Sequence, residues 1–471
     1  MKYYALFLLS LLHLGWQCSP PKEELPDTPQ NYPVKLWTTS PDAVNLLYAK
    51  SLPFATAKDD RFPTIEIDSA RAFQTVEGFG YTLTGGSAYL LRKMDAATRT
   101  KWLNELFGAD DDDIKVSYLR ISLGASDLDA EVFSYDDLPA GQTDPDLTHF
   151  NLSKDTIDLI PVLKEILAIR PGLRLMASPW SAPVWMKTNN SSVGGNLKTQ
   201  YYSTYAQYFV KYLKAMAAQG IIIDAVTVQN EPQHGGNNPS MVMSSAQQGD
   251  FVKNHLGPAF QSAGLNTKII IWDHNCDNPN FPLDILNDAA AKPFVFGTAF
   301  HLYGGDISAL SQVHNAHPDK ALYFTEQWTG STGNFGDDLR WHVKNVVIGS
   351  MRNHSRVALE WNLANDPNYQ PHTPGGCSQC KGALTINGSD ASRNVSYYII
   401  AHASRFVPPG SVRLWSTEFT QCSNVAFRTP EGKIAVIVQN ESNQSQSFNI
   451  RYGNKWMVAT LLGGNAGTFV F

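Results

Sequence analysis

The chain has 471 residues, 43% of them hydrophobic, and a formal charge of −6. That apolar share excludes a disordered or collagen-like chain, and mild acidity argues against a nucleic-acid partner, which asks for a basic face. At ~100–200 residues per domain, the length fits two or three domains or one large barrel with an appendage.

Lys2 and the apolar run 3–14 have the size of a signal-peptide core, too short for a membrane span. Cys18 and a Pro-rich stretch follow, and together they resemble a bacterial lipoprotein signal. Residues 1–18 are therefore expected to be a leader, with Cys18 as a lipidated first residue and 19–31 as a tether. Gln17 stands where that pattern has a small residue, so a plain secretory cut nearby is the other reading. Export to a bacterial surface or periplasm is expected, with the membrane touched only through that lipid.

Residues 32–72 contain strand-like pieces (VKLWTT, NLLYA, TIEID), too few to stand alone. Residues 73–409 repeat short apolar runs and longer amphipathic stretches, the rhythm of successive βα units. The runs 75–80, 116–123, 174–179, 225–231, 269–274, 297–303, 321–326 and 357–362 give eight strands. Helices are predicted over 153–169, 201–219, 245–263 and 339–353. Eight such units describe a (β/α)8 TIM barrel. A doubly wound sheet is the rival, but no GxGxxG or Walker pattern occurs. The acidic run 110–113 reads as a solvated loop, with calcium as the other reading. Residues 410–471 carry more short strands, so a β-sandwich built from both ends of the chain is expected, with Trp37 and Trp456 in its core.

Catalytic groups of a TIM barrel come from the C-terminal ends of its strands. There the sequence places Asp127, Trp180, Asn230 with Glu231, Asp273 with His274, His301 with Tyr303, Glu326 with Trp328, and Trp361. Carboxylates, amides and Trp without a convincing metal cage suit glycoside cleavage. One carboxyl protonates the leaving oxygen, a second attacks or stabilises the anomeric carbon, and flat rings face the sugar. Glu231 and Glu326 end apolar strands most cleanly, on the fourth and seventh strands. A lone Glu would more often be a structural ion; a matched pair reverses those odds. His234 and Glu360 are weaker candidates, Glu360 as a buried structural ion.

The segments GFGYTLTGGSA (78–88), YLRISLGASD (118–127), MASPWSAPVWMKTN (176–189), VQNEPQ (228–233), FHLYGG (300–305), FTEQWTG (324–330) and WNLANDP (361–367) resemble glycoside hydrolase family 30. The resemblance implies a barrel with a sandwich built from both termini, retention of anomeric configuration, and no cofactor or metal. It implies Glu231 as acid/base and Glu326 as nucleophile. Asp127, Trp180, Asn230, His301, Tyr303 and Trp361 match positions lining the sugar subsite, and Trp328 is a further stacking candidate. Arg120 matches a buried cation expected to keep Glu326 ionised, while Glu231 should have a raised pKa. Apart from the resemblance, Trp272, Asp273 and His274 read either as part of the aglycone side or as hydrogen-bonding support that orients Glu231.

Cys377-Ser-Gln-Cys380 has no second pair at zinc spacing, so a small disulfide staple is expected, with Cys276 and Cys422 as buried thiols. The stretch 375–386 resembles a loop of the β-1,6-glucanase branch, with Lys381 in place of Arg. The expected partner is therefore a β-glucan, with a glucosylceramide as the alternative substrate. A non-catalytic glycan-binding protein would have lost one of the two carboxylates, and both are present.

Overall fold

Eight apolar runs pair in parallel and close on themselves: β1 (Gly78–Leu83), β2 (Tyr118–Ser122), β3 (Arg174–Ser178), β4 (Ala225–Thr227), β5 (Lys268–Cys276), β6 (Val295–Gly305), β7 (Ala321–Glu326) and β8 (Ser355–Asn362). The computed structural model describes Met1 and residues 33–471; the expected leader, Cys18 and the tether lie outside the described residues. No helix among the described residues is long and apolar enough to cross a membrane.

Parallel strands buried on both faces need nearly continuous apolar sequence, and every residue of β1, β2, β4 and β7 is buried. Side chains alternate between the barrel interior and the helical layer. The interior is filled by Tyr118, Met176, Ala225, Ile270, Ala299, Tyr323, Val357 and Leu359. Beneath them Glu77 receives the Tyr323 hydroxyl at 3.3 Å and pairs with Arg174 at 2.9 Å, Lys268 at 3.4 Å and Arg356 at 3.3 Å. The N-terminal end of the barrel is thus closed by ion pairs, and the opposite end is free for chemistry.

The β1 strand begins three residues later than the sequence predicts, and the helix predicted over 153–169 begins only at Leu159. The helices predicted over 245–263 and 339–353 form, each with a wide turn of i→i+5 bonds inserted at Val252–Leu256 and Val343–Gly349.

Nine further strands hydrogen-bond in one continuous order. The N-terminal ones, Val34–Thr39, Tyr48–Leu52 and Thr64–Thr75, interleave with six from residues 412–470. The order folds over on itself. Phe448 and Phe469 lie five strands apart in it, yet their rings meet edge-on at 6.0 Å. Their contact lies in a core with Leu36, Ile65, Val436 and Ile450, so the layer is a sandwich. Trp37 and Trp456 are outside that core. Strand alternation turns Leu36 and Met457 inward, so each Trp faces the other way. Trp37 instead packs at a tilt against Phe406, ring centres 4.4 Å apart, and Trp456 lies under Arg451 at 5.2 Å.

The helix Val395–Ser404, buried on all sides, seals barrel to sandwich. Its His402 bridges the hydroxyls of Thr39 and Thr468, each at 2.9 Å. Burial pulls that imidazole down to about 3, so it works as a neutral link.

Candidate active site

At the open end β4 stops at Thr227, short of the predicted 231, because the next residues leave the ladder. Asn230 N–H turns to the carbonyl of Pro179 at 2.8 Å and Glu231 N–H to that of Asp273 at 3.0 Å. Glu231, Trp272 and Asp273 all adopt left-handed backbone conformations, with φ of 46°, 71° and 67°. Such conformations cost a non-glycine residue ~1–3 kcal/mol each and cluster where a site dictates side-chain direction. Here they send Asp273 into the barrel axis, while Trp272 packs outward on Phe281 at 4.4 Å.

Arg120, fully buried on β2, forms the floor. Its Nε donates to Ser178 Oγ at 3.0 Å and its Nη1 to Glu326 Oε2 at 2.6 Å. Its Nη2 donates to Asn230 Oδ1 at 2.6 Å and Asp273 Oδ2 at 2.8 Å. A planar guanidinium fork is the group that can hold four side chains from four βα units this way. Asp273 also accepts from Thr227 and Thr325, both at 2.7 Å, and from His301 Nε2 at 3.2 Å. Burial alone would raise its pKa; the Arg120 charge and these bonds hold it far below the ordinary carboxylate range.

His301 stands between the two candidate carboxylates. Its Nδ1 lies 3.1 Å from Glu231 Oε1 and 3.8 Å from Glu326 Oε1. Burial opposes its charge, but Glu326, Asp273 and Glu231 raise it to about 9. One ligand atom from each of Glu231, His301 and Glu326 lies within 4.8 Å of the other two, so the carboxyls are close enough for a retaining mechanism. Tyr303 donates its hydroxyl to Glu326 Oε1 at 3.0 Å.

Protonation departs from the sequence expectation. Burial pushes both carboxyls up. At Glu231 the His301 bond and charge, helped by His274 and His234, reverse that push and leave it below the ordinary glutamate value. At Glu326 burial outweighs His301 and Arg120, and the neighbouring Glu231 and Asp273 charges add to it, so it lies above. The family resemblance implies a cation at Arg120 beside Glu326 but not the imidazolium bonded to Glu231. With His301 holding a proton 3.1 Å from Glu231 Oε1, its Nδ1 is placed to pass that proton to Glu231.

The pH dependence follows from these directions. Glu326 must be ionised to attack, so kcat/KM falls on the acid side, starting above the ordinary glutamate value. Loss of the His301 proton as pH rises through about 9 removes the supply to Glu231 and sets the alkaline limb. A pH–rate profile without an alkaline fall near 9, or one that His301→Gln leaves unmoved, contradicts this.

Above the floor a cavity of 280 Å3 is lined by Asp127, Trp180, Glu231, His274, Tyr303, Glu326, Trp328 and Trp361. Arg120, Asn230, Asp273 and His301 lie beneath as the supporting network. Trp180 and Trp361 meet at 5.4 Å, with Arg120 4.7 Å from the Trp180 ring centre. Burial lowers His274 to about 4, and its Nδ1 accepts from Gln233 N–H at 3.4 Å. Burial and the Glu326 charge raise Asp127 to about 7, so near neutrality it can donate as well as accept. Glu360 is buried against His342 Nδ1 at 2.8 Å, a structural pair.

Asn237, Asn275, His234 and both cysteines of the CxxC also line the cavity. Of these, the sequence singled out His234 only weakly and the cysteines only as a staple; Asn275 is near the end of β5 and Asn237 lies in a loop, neither in a motif that marks it. The Cys377–Cys380 disulfide forms, and Cys276 and Cys422 are buried thiols. Cys377 N–H donates to Asp127 Oδ2 at 3.1 Å, and Thr373 N–H to the Asp127 carbonyl at 2.9 Å. Gly376 is needed at this approach, since a Cβ there would lie 2.3 Å from the Asp127 carbonyl oxygen. Cys380 pairs with Gly330, two residues after Trp328. The bridged loop thus ties Asp127 to the Trp328 wall. Replacing both cysteines by Ser should raise KM about tenfold, the equivalent of one hydrogen bond of ~1.4 kcal/mol, with kcat little changed. Steady-state kinetics that show an equal loss in kcat would place the loop in the chemistry instead.

The glycosyl hydrolase family 30 TIM-barrel model matches residues 76–407, and that family's β-sandwich model matches 410–469. The chain belongs to glycosyl hydrolase family 30. It is a glycosidase, with the barrel and sandwich of that family. It is similar to the endo-1,6-beta-D-glucanase neg1 of Aspergillus fumigatus, 33% identical over 425 residues that cover 83% of this chain and 84% of that protein. A solved structure, the endo-beta1,6-glucanase BT3312, superposes with a TM-score of 0.86 at 35% identity, covering 93% of this chain and 99% of the other. A putative glucosylceramidase 2 of Caenorhabditis elegans is 30% identical over 398 residues, 80% of this chain and 76% of that protein.

Proposed function

We propose that this glycosidase is an endo-β-1,6-glucanase that cleaves with retention, through Glu326 as nucleophile and Glu231 as acid/base. The observation that carries the mechanism is the approach of the two carboxyls within 4.8 Å, below the ~6.5–9.5 Å an inverting enzyme needs for its water. The glucan substrate is supported by likeness to the fungal and BT3312 glucanases over most of their length. The apolar leader supports action outside the cytoplasm, where such a polymer is found.

In the first step Glu326 Oε attacks the anomeric carbon while Glu231 protonates the departing 6-oxygen. The Glu326–sugar bond forms as the glycosidic bond breaks. In the second, Glu231 takes a proton from water, and the water oxygen attacks the anomeric carbon from the face that the 6-oxygen left, breaking the bond to Glu326 on the opposite face. Arg120 and Tyr303 hold Glu326 at two different oxygens, so the carboxylate is oriented before substrate arrives.

Parallel digestion of β-1,6-glucan, β-1,3-glucan and glucosylceramide tests the substrate. Release of gentio-oligosaccharides from the first alone is expected. Cleavage of the ceramide alone would move the chain to the glucosylceramidase side of the family.

A further inference from the structure

Away from the mouth, the loop between β2 and the helix Leu159–Ile169 buries a carboxylate that accepts no hydrogen bond from the described residues. Asp136 is 1% exposed, and neither Oδ1 nor Oδ2 has a hydrogen-bond partner among the described residues. Its backbone is fully used: its N–H reaches Ser134 Oγ at 3.3 Å, and its carbonyl accepts from Trp185 Nε1 at 2.9 Å. A carboxylate taken out of water with no donor is costly, and native proteins pair such a group or give it an ion. A second buried carboxylate, Asp144, makes matters worse by its like charge. The charges of His149 and Lys211 offset this only in part, and the Lys211 ammonium donates to the carbonyls of Asp146 and Leu147 and not to either carboxylate.

One ligand atom each from Asp136, Asp144 and His149 lies within 4.8 Å of the other two. Asp144 Oδ2 and His149 Nδ1 are hydrogen-bonded at 2.8 Å, and a shift of about half an ångström gives the ~3.3 Å between neighbouring ligands of a tetrahedral ion. His149 is exposed, which leaves the cluster a path to solvent.

We propose that Asp136, Asp144 and His149 form a binding site for a divalent transition-metal ion, with zinc as its representative. Two carboxylates and an imidazole, with water completing the shell, are a donor set zinc accepts at ~2.0–2.2 Å. Calcium takes six to eight oxygens and is disfavoured by the imidazole. The ion supplies the positive charge Asp136 lacks and takes the place of the proton between Asp144 and His149. It cross-links residues 136 and 149 of the loop that starts beside Asp127. Its role is structural and separate from the Glu231–Glu326 chemistry.

The test is isothermal titration of the EDTA-stripped full chain with zinc chloride, with thermal unfolding followed in parallel. One site is expected whose affinity falls at least ~10-fold in both Asp136→Asn and His149→Ala, with the zinc-induced rise in Tm lost in both. Zinc held by Glu231, His301 and Glu326 keeps its affinity in these variants and is thereby told apart. Removing the Asp136 charge relieves repulsion, so Asp136→Asn should be at least as stable as the metal-free parent. The exposed His149→Ala carries the test if Asp136→Asn does not fold. Absence of zinc binding, equal binding by parent and both variants, or binding of calcium in place of zinc overturns the proposal.

Discussion

Glu326→Ala should abolish nearly all turnover, with kcat down at least ~10^4-fold, because removing a nucleophile that works as a unit with its acid/base leaves only positioning and binding. The site itself should survive. Arg120 keeps Asp273, Asn230 and Ser178, and His301 keeps Glu231 and Asp273. The vacancy at 326 also admits a small anion against Arg120. Added azide is therefore expected to restore measurable activity on an activated β-glucoside and to give the α-glycosyl azide, since attack comes from the face Glu326 occupies. Product analysis by NMR reads this directly. A β-azide would show that the variant had lost its acid/base, and the two roles would have to be exchanged.

The largest expected loss of stability lies at Arg120→Ala. The side chain is 0% exposed and pairs with Glu326 and Asp273, themselves buried. Breaking such a pair on one side costs ~3–5 kcal/mol, mostly from the charges left without compensation. Urea unfolding should show the midpoint falling with the slope unchanged. Activity should fall further than the folded fraction, because Glu326 loses the cation that favours its ionised form. A variant with parental stability would mean that water or a neighbouring group rescues the carboxylates, and that Arg120 does not hold the floor together.

Strand ends were the legible part of this molecule. The apolar runs before Glu231 and Glu326 mark two strands, and the polar motifs after them mark the mouth, since parallel strands buried on both faces leave little other reading. What sits across the barrel axis was harder. Nothing in the spacing of Glu231, Asp273 and His301 shows that one imidazole bonds the first two, and this contact reverses the expected protonation of the pair. The left-handed turns at Glu231 and Trp272–Asp273 escaped for a similar reason: no glycine marks them, and tertiary hydrogen bonds hold them. Trp37 and Trp456 were misplaced because hydrophobicity alone does not tell which face of a strand meets the core; the neighbours Leu36 and Met457 do. The unpaired Asp136 was invisible, since its strangeness lies in partners it lacks.

Cleavage of β-1,6-glucan by double displacement at Glu231 and Glu326 leaves a signature in the first product. Proton NMR of the reducing ends formed in the first minutes of digestion should show gentio-oligosaccharides released as the β-anomer, turning to the α/β mixture only by later mutarotation. Release of the α-anomer first would mean a single displacement by water and would exclude a glycosyl-enzyme on Glu326.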